Sequence, residues 1–347
     1  MSPAPWPSYR YLFGAGATLL LLWATVRLVA ASVQPIFLVI VACLLAFLVH
    51  YPINLLARFV PRALATALTL LLLLAALGGV GWWLVPRLYH QAASLVTSLP
   101  EMLQSIAAWW RTVQQRGPLA ALPDAHLPET VEQRLLAEVS ELVSGALPLA
   151  FGVVTGAIAA VFVLGVAFFL AYRPDLYVGG LLRLVPPRHE ASVEAFIGRL
   201  VFVIRGWIAG ALVSMTTVGL LTALGTFLLG LESWLLLAFI AFALEIVPYA
   251  GPILSAVPAV AIALSHSPST ALQTAALYLV IQQFEGNAIT PIVMKRAIEL
   301  PPALLLLWQV AMVSAFGIVA LFVAAPLLAA VMVAVDHFWV RRALGRE

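Results

Sequence analysis

An all-α fold, a polytopic membrane helical bundle of about eight transmembrane helices, is predicted by three features of the chain. Only 10% of the 347 residues are charged, against roughly 25% in an ordinary soluble domain. Apolar residues make up 63% and the mean hydropathy is +1.06. Apolar runs recur that reach the roughly 20 residues a helix needs to cross the hydrocarbon. A soluble domain of this size buries no more than about 75% of its surface, so a cytosolic enzyme is excluded as the main reading. The 18 basic residues against 15 acidic ones leave a net charge of +3, with no basic run that could track a phosphate backbone, and no nucleic-acid partner is expected. Cys43 is the one cysteine, which rules out an intrachain disulfide and a cysteine-based metal site.

The elements follow in order. Spans are expected over 12–31, 34–56, 63–85, 147–171 and 206–230, and longer apolar tracts over 234–264, 269–292 and 303–335. Ala30-Ala31-Ser32 has the look of a signal-peptidase site, but the run before it is longer than a signal h-region, so a retained first helix is expected. The chain divides into 1–86 with helices 1–3, an extramembrane amphipathic segment over 87–145, and a C-terminal transport region over 146–347 with helices 4–8. Positive charge sets the orientation. With both termini in the cytoplasm, Arg10, Arg58, Arg62, Arg173, Arg183, Arg188, Arg199, Arg205, Arg341, Arg342 and Arg346 face inward, and the acidic 87–145 segment falls outside.

Lys295 and Arg296 do not fit eight simple crossings. Tracts 234–264 and 303–335 hold 31 and 33 residues, about 47 and 50 Å as straight helices, for a hydrocarbon about 30 Å thick. The first contains Pro248, Gly251, Pro252 and Pro258, and the second Gly317 and Pro326. Each is either a long tilted helix or a broken, re-entrant one. If both turn back, Lys295 and Arg296 move inside.

In 87–145 an apolar stripe from Tyr89 to Val113 recurs at steps of three and four. Ser98 and Glu101 read as a capping box that starts a helix there, a second amphipathic helix is readable at 129–143, and Gly117–Pro128 links them. The segment suits self-association, a flap on the bilayer surface or a cover for its own protein. In 173–205 an inner-surface helix is expected to begin near His189 and run into the next span.

Ionisable groups inside a span are expensive and mark function by default. Glu245 and Glu285 qualify. Each stands a few residues before a proline that can free carbonyls, as broken transporter helices do. Pro248, Gly251, Pro252 and Pro291 are the candidate helix breaks, and Gln282, Gln283, Asn287 and Thr290 the candidate pathway residues. Gln282 and Glu285 share a helix face. The alternative is interhelical structural glue, which is also the reading for Gly152–Gly156 and Gly206–Gly210. Asp336-His337 reads as a cap or interface contact. The six histidines lack metal-ligand spacing, and nucleophile elbows and phosphate loops are missing. No enzyme, metal or cofactor is expected, apart from Na+ or H+ as a coupling ion.

The tract Ile246-Val247-Pro248-Tyr249-Ala250-Gly251-Pro252-Ile253, then Val257-Pro258-Ala259, then Gln283 to Met294 with its Asn287-x-x-Thr290-Pro291 element, Leu300-Pro301-Pro302, Gly317 and Ala325-Pro326-Leu327, resembles the autoinducer-2 exporter family, also described as PerM-like permeases. Ala46–Pro52 and Pro61–Ala65 agree more loosely. The resemblance implies a bacterial inner-membrane protein with about eight spans, homo-oligomeric, exporting the quorum signal autoinducer-2 or exchanging sodium (lithium) for protons. Where the family commonly carries a neutral residue before its Ile-Pro element, this chain has Glu245, which leans toward a cation- or proton-coupled member. Three functions follow: a secondary exporter of a small polar solute, a sodium(lithium)/proton antiporter, and a non-transporting scaffold assembled through 87–145.

Overall fold

The structure, a computed structural model, describes residues 36–116, 153–289, 291 and 300–341. The predicted span at 12–31, the link and helix at 117–143, Thr290, Lys295 and Arg296 lie outside these residues. Every regular element described is helical. They are α1 (Ile36–Leu56), α2 (Arg62–Arg116), α3 (Val153–Tyr172), α4 (Pro174–Leu182), α5 (Pro187–Leu228), α6 (Trp234–Leu244), α7 (Ala250–His266), α8 (Pro268–Phe284), α9 (Pro302–Phe316) and α10 (Leu321–Ala334). A π-helical turn, Glu285–Ile289, continues α8, and a second, Val335–Arg341, continues α10.

Among the described residues α1, α2, α5 and α10 with its π turn are long and apolar enough to cross a membrane, and α3 with α4 form a fifth pair bent by 77°. The bend falls at Arg173, which Pro174 keeps out of the helical region. In the four long helices the most apolar windows have only 11–39% of their residues buried within the chain. Large apolar side chains such as Leu71, Leu72, Phe162, Leu220 and Leu279 point outward, the arrangement expected where lipid is the solvent.

α2 departs from expectation. The Ser98–Glu101 pair does not start a helix, because the 55-residue α2 passes through Pro86, Ser98 and Pro100 without a break. At 1.5 Å per residue it is about 80 Å long, so it spans the hydrocarbon and continues well beyond it. Trp82 is 87% exposed, and the Arg87 guanidinium sits 4.2 Å from the Trp83 ring centre and donates to the Trp83 carbonyl. Tryptophan and arginine stacked in this way mark a bilayer interface. Beyond that level Gln91 reaches the loop before α6: its Nε2 donates to the Glu232 carbonyl at 3.0 Å and its Oε1 accepts from the Leu236 amide at 2.8 Å.

α5 starts at Pro187, as the sequence suggests for the stretch near His189, and runs unbroken for 42 residues. Its first half is tied to the chain's end. Arg199 and Arg341 share Asp336 at 2.8 and 3.0 Å, the Ser192 hydroxyl meets His337 Nε2 at 3.1 Å, and Phe196 packs on His337 and Phe338. Asp336-His337 is therefore an interhelical contact. The second half of α5 packs on α6 and α8.

Both long tracts are broken helices. Tract 303–335 divides at Gly317, whose φ of 81° with ψ of 176° is open to glycine alone, whereas Pro326 is accommodated within α10. Tract 234–264 divides between α6 and α7, and Pro258 stays inside α7. Here Gly251 is required by contact, since a Cβ would run into the Leu244 carbonyl and carbon.

Gly251→Ala is expected to cost about 1–3 kcal/mol through this overpacking, seen as a lower unfolding temperature in detergent. Gly165→Ala, where a Cβ meets nothing within 4 Å, is expected to be neutral in the same assay.

Candidate functional site

The site is built on the break between α6 and α7. Pro248 cannot donate to Leu244, so the helix stops, and Tyr249 turns the chain at φ 66°, a costly conformation for a residue with a side chain. Pro252, in the first turn of α7, lacks the amide that would otherwise return to the Pro248 carbonyl. Two other donors serve that oxygen: the Ala250 amide at 2.8 Å and Gln309 Nε2 of α9 at 3.3 Å. Gln309 is 3% exposed and is the lone side-chain amide of α9. The break thus meets the demand that backbone at membrane depth be satisfied by protein.

Glu245 sits at the C-terminal end of α6, immediately before the break. Its Oε2 is buried without a hydrogen-bond partner among the described residues. Glu285 caps α8 and opens the π turn. Its Oε1 accepts from the Ser214 hydroxyl of α5 at 3.0 Å, and its Oε2 faces Gln282 Nε2 at 3.5 Å. The two carboxylates are within electrostatic range of each other, so the fold brings together two acids that are 40 residues apart in the chain.

The sequence of this chain is matched over residues 17–339 by the profile described as AI-2E family transporter. The chain belongs to the AI-2E transporter family. Curated relatives agree with it. The candidate transport protein YueF of Bacillus subtilis is 25% identical over 307 residues, 85% of this chain and 82% of YueF. The candidate permease PerM of Escherichia coli is 28% identical over 315 residues, 89% and 88% of the two chains. The candidate transport protein MT0215 of Mycobacterium tuberculosis is 26% identical over 332 residues, 94% and 88%.

In this AI-2E family chain the polar residues singled out from sequence divide into two groups. Glu245, Glu285 and Gln282 converge, with Pro248, Gly251 and Pro252 forming the break beside them. Gln283 and Asn287 are exposed and bond to each other, Asn287 Nδ2 to Gln283 Oε1 at 2.9 Å. Their i, i+4 spacing puts them together on an exposed face, apart from the face that Gln282 and Glu285 share. Pro291 is exposed and helical.

Ser214 and Gln309 went unremarked in the sequence. Ser214 is an ordinary small residue on a span, while Gln309 could have been noticed as the single amide of its tract. Arg205, placed in an inner loop by charge counting, lies within α5, its guanidinium 5.7 Å from the Phe47 ring centre and its Nε buried. A separate cavity of about 690 Å3 at the α3–α4 bend collects Arg62, Arg173 and Arg183 around Asp175. These are three of the arginines expected on one side of the membrane.

Gln309→Leu removes a donor from the Pro248 carbonyl and should cost about 1–2 kcal/mol. Hydrogen exchange should show faster opening of residues 245–251 than in the parent, with α1 and α3 unchanged.

Proposed function

We propose that the chain is a secondary transporter that exports a small polar solute, with Glu285 and Glu245 binding the coupling cation or proton at the α6–α7 break. One observation carries the reading. A buried carboxylate oxygen of Glu245 with no hydrogen-bond partner among the described residues lies within electrostatic range of a second carboxylate that is held by Ser214 and Gln282. Two acids in range of one another in an apolar bundle need a proton or a cation between them, because neither can be left charged and bare in a medium of low dielectric.

The adjoining break supports the same reading. Non-helical backbone at this depth offers carbonyls to a solute or ion and a hinge on which α6 can move against α7. Gln282 is the pathway residue best placed to contact solute. Gln283 and Asn287 would act only if the outer face of α8 joins the pathway, and Thr290 is proposed as a further pathway residue. Membership of the AI-2E family suggests autoinducer-2 as the solute. The protein would lie in the bacterial inner membrane with both termini cytoplasmic and would assemble as a homo-oligomer.

Glu245 favours a second reading, sodium(lithium)/proton antiport with no organic solute, since an acid without a hydrogen-bond partner is a ready ligand for a small cation. Proteoliposomes separate the two. For the exporter, solute efflux driven by a proton or sodium gradient should fall about a hundredfold, some 2.7 kcal/mol, in Glu285→Gln and Glu245→Gln. For the antiporter, sodium uptake driven by an acidic interior should disappear in the same variants without any solute present. Efflux that neither substitution changes would sink the coupling assignment.

A further inference from the structure

The α3–α4 bend gathers more positive charge than the acids around it offset. Arg62 at the start of α2, Arg173 at the bend and Arg183 just past α4 line the cavity of about 690 Å3 there with Asp175. None of the three arginines is in an ion pair among the described residues, where Asp336 pairs with Arg199 and Arg341 instead. Arg62 meets the Ala171 carbonyl at 3.5 Å, an end carbonyl of α3 left without a helical donor by the bend. Arg173 lies 5.7 Å from the Tyr172 ring centre. Asp175 falls in the first turn of α4, where a carboxylate complements the helix N-terminus. The surplus of guanidinium groups makes the cavity an anion site, and their forked donors match the oxygens of a phosphate.

The surroundings point to the source of that phosphate. α4 is apolar after Asp175, yet none of its residues is buried. Leu176, Tyr177 and Leu181 are exposed, as is Leu184 just beyond it. On α3, Phe162 and Phe169 are exposed, and their spacing of seven puts them on one face, with Arg173 a turn after Phe169. An apolar helix without a buried residue, turned 77° from the helix before it, suits the boundary between headgroups and acyl chains. A cationic cavity and an exposed aromatic stripe therefore meet at the bend, as the phosphate and the chains meet in a phospholipid. A soluble anion would use the first and leave the second uncovered. Gly179 and Gly180 also line the cavity, and a Cβ at either would meet nothing within 4 Å, so missing side chains keep the space open.

We propose that the α3–α4 bend binds an anionic membrane phospholipid, with its phosphate among Arg62, Arg173 and Arg183 and an acyl chain laid along Phe169 and Phe162. Basic pockets between spanning helices take lipid headgroups by this chemistry. The lipid neutralises the gathered arginines and covers the apolar side of α4, so that this helix is held at the bilayer surface by lipid rather than by the bundle. The site lies on elements that carry neither Glu245 nor Glu285, and it stands whatever those acids do.

Native mass spectrometry of the full chain, released from detergent micelles titrated with phosphatidylglycerol or phosphatidylcholine, reads the bound lipid directly. The parent should retain a phosphatidylglycerol under conditions that strip phosphatidylcholine. Arg173→Gln and Arg183→Gln should each weaken that binding by about fivefold. Arg188→Gln, at an exposed arginine outside the cavity, should leave it unchanged. Gly179→Phe, which fills the cavity without altering charge, should weaken it too. The substituted positions are not buried, and unaltered elution profiles keep misfolding out of the comparison. Equal retention of the two lipids overturns the site. So does a Gly179→Phe variant that binds as the parent does, or an Arg188→Gln variant that loses as much as the cavity arginines, since either result means general surface attraction. Inorganic phosphate in large excess should leave the bound lipid in place. Complete displacement by it assigns the cavity to a soluble phosphate and overturns the lipid.

Discussion

The rule that no backbone group can be left unpaired in hydrocarbon governs this molecule. A chain with Pro248 and Pro252 four residues apart cannot obey it alone, because the helix must stop at the first and the second withholds the amide that would satisfy the carbonyl between. The remedy for the Pro248 carbonyl is shared between the nearby Ala250 amide and, from elsewhere in the sequence, Gln309 of α9. Those two donors let the helix be interrupted there. The interruption in turn sets Glu245 at a helix end rather than in the middle of a continuous span, and gives α6 and α7 separate axes. Packing of α6 on α5, and of α5 on α8, then brings Glu285 into range.

What could be read from the sequence follows from which forces are local. The spans near 34–56, 63–85 and 206–230, the start of α5 near residue 187 and the breaks at Pro248 and Gly317 are set by runs of apolar residues and by backbone chemistry within a few positions, and these agree with the structure. The capping box at Ser98 was misleading because capping is a competition. Its pattern is present, but a helix already propagating from Arg62 gains more by continuing than by restarting. Glu245 and Glu285 stand out as charges in apolar surroundings, yet nothing in the sequence pairs them. Their proximity depends on two helix packings and a register. The division of the polar cluster follows helical spacing, which puts Gln282 with Glu285 on one face and Gln283 with Asn287 on another, but which of the two faces turns inward depends on the packing of α8.

Charge is distributed by the same economy. Arg62, Arg173 and Arg183 line one cavity with Asp175, and Arg199 and Arg341 share Asp336. Glu245 and Glu285 are acids held within the bundle, each beside an irregular stretch of backbone.

Gln91 has a consequence for how force travels through the molecule. The first amides of a helix have no partner within it, and for α6 one of these, that of Leu236, is met by a side chain from α2, while the same amide group holds the carbonyl of Glu232. The overhanging part of α2 is thus fastened to the start of the short helix whose other end carries Glu245. Tilting that overhang would have to drag α6 along or strip two backbone groups of their partners. A rod about 80 Å long, pinned near its middle, behaves as a crank: a modest swing outside the bilayer becomes a pull on the helix that positions the buried acid.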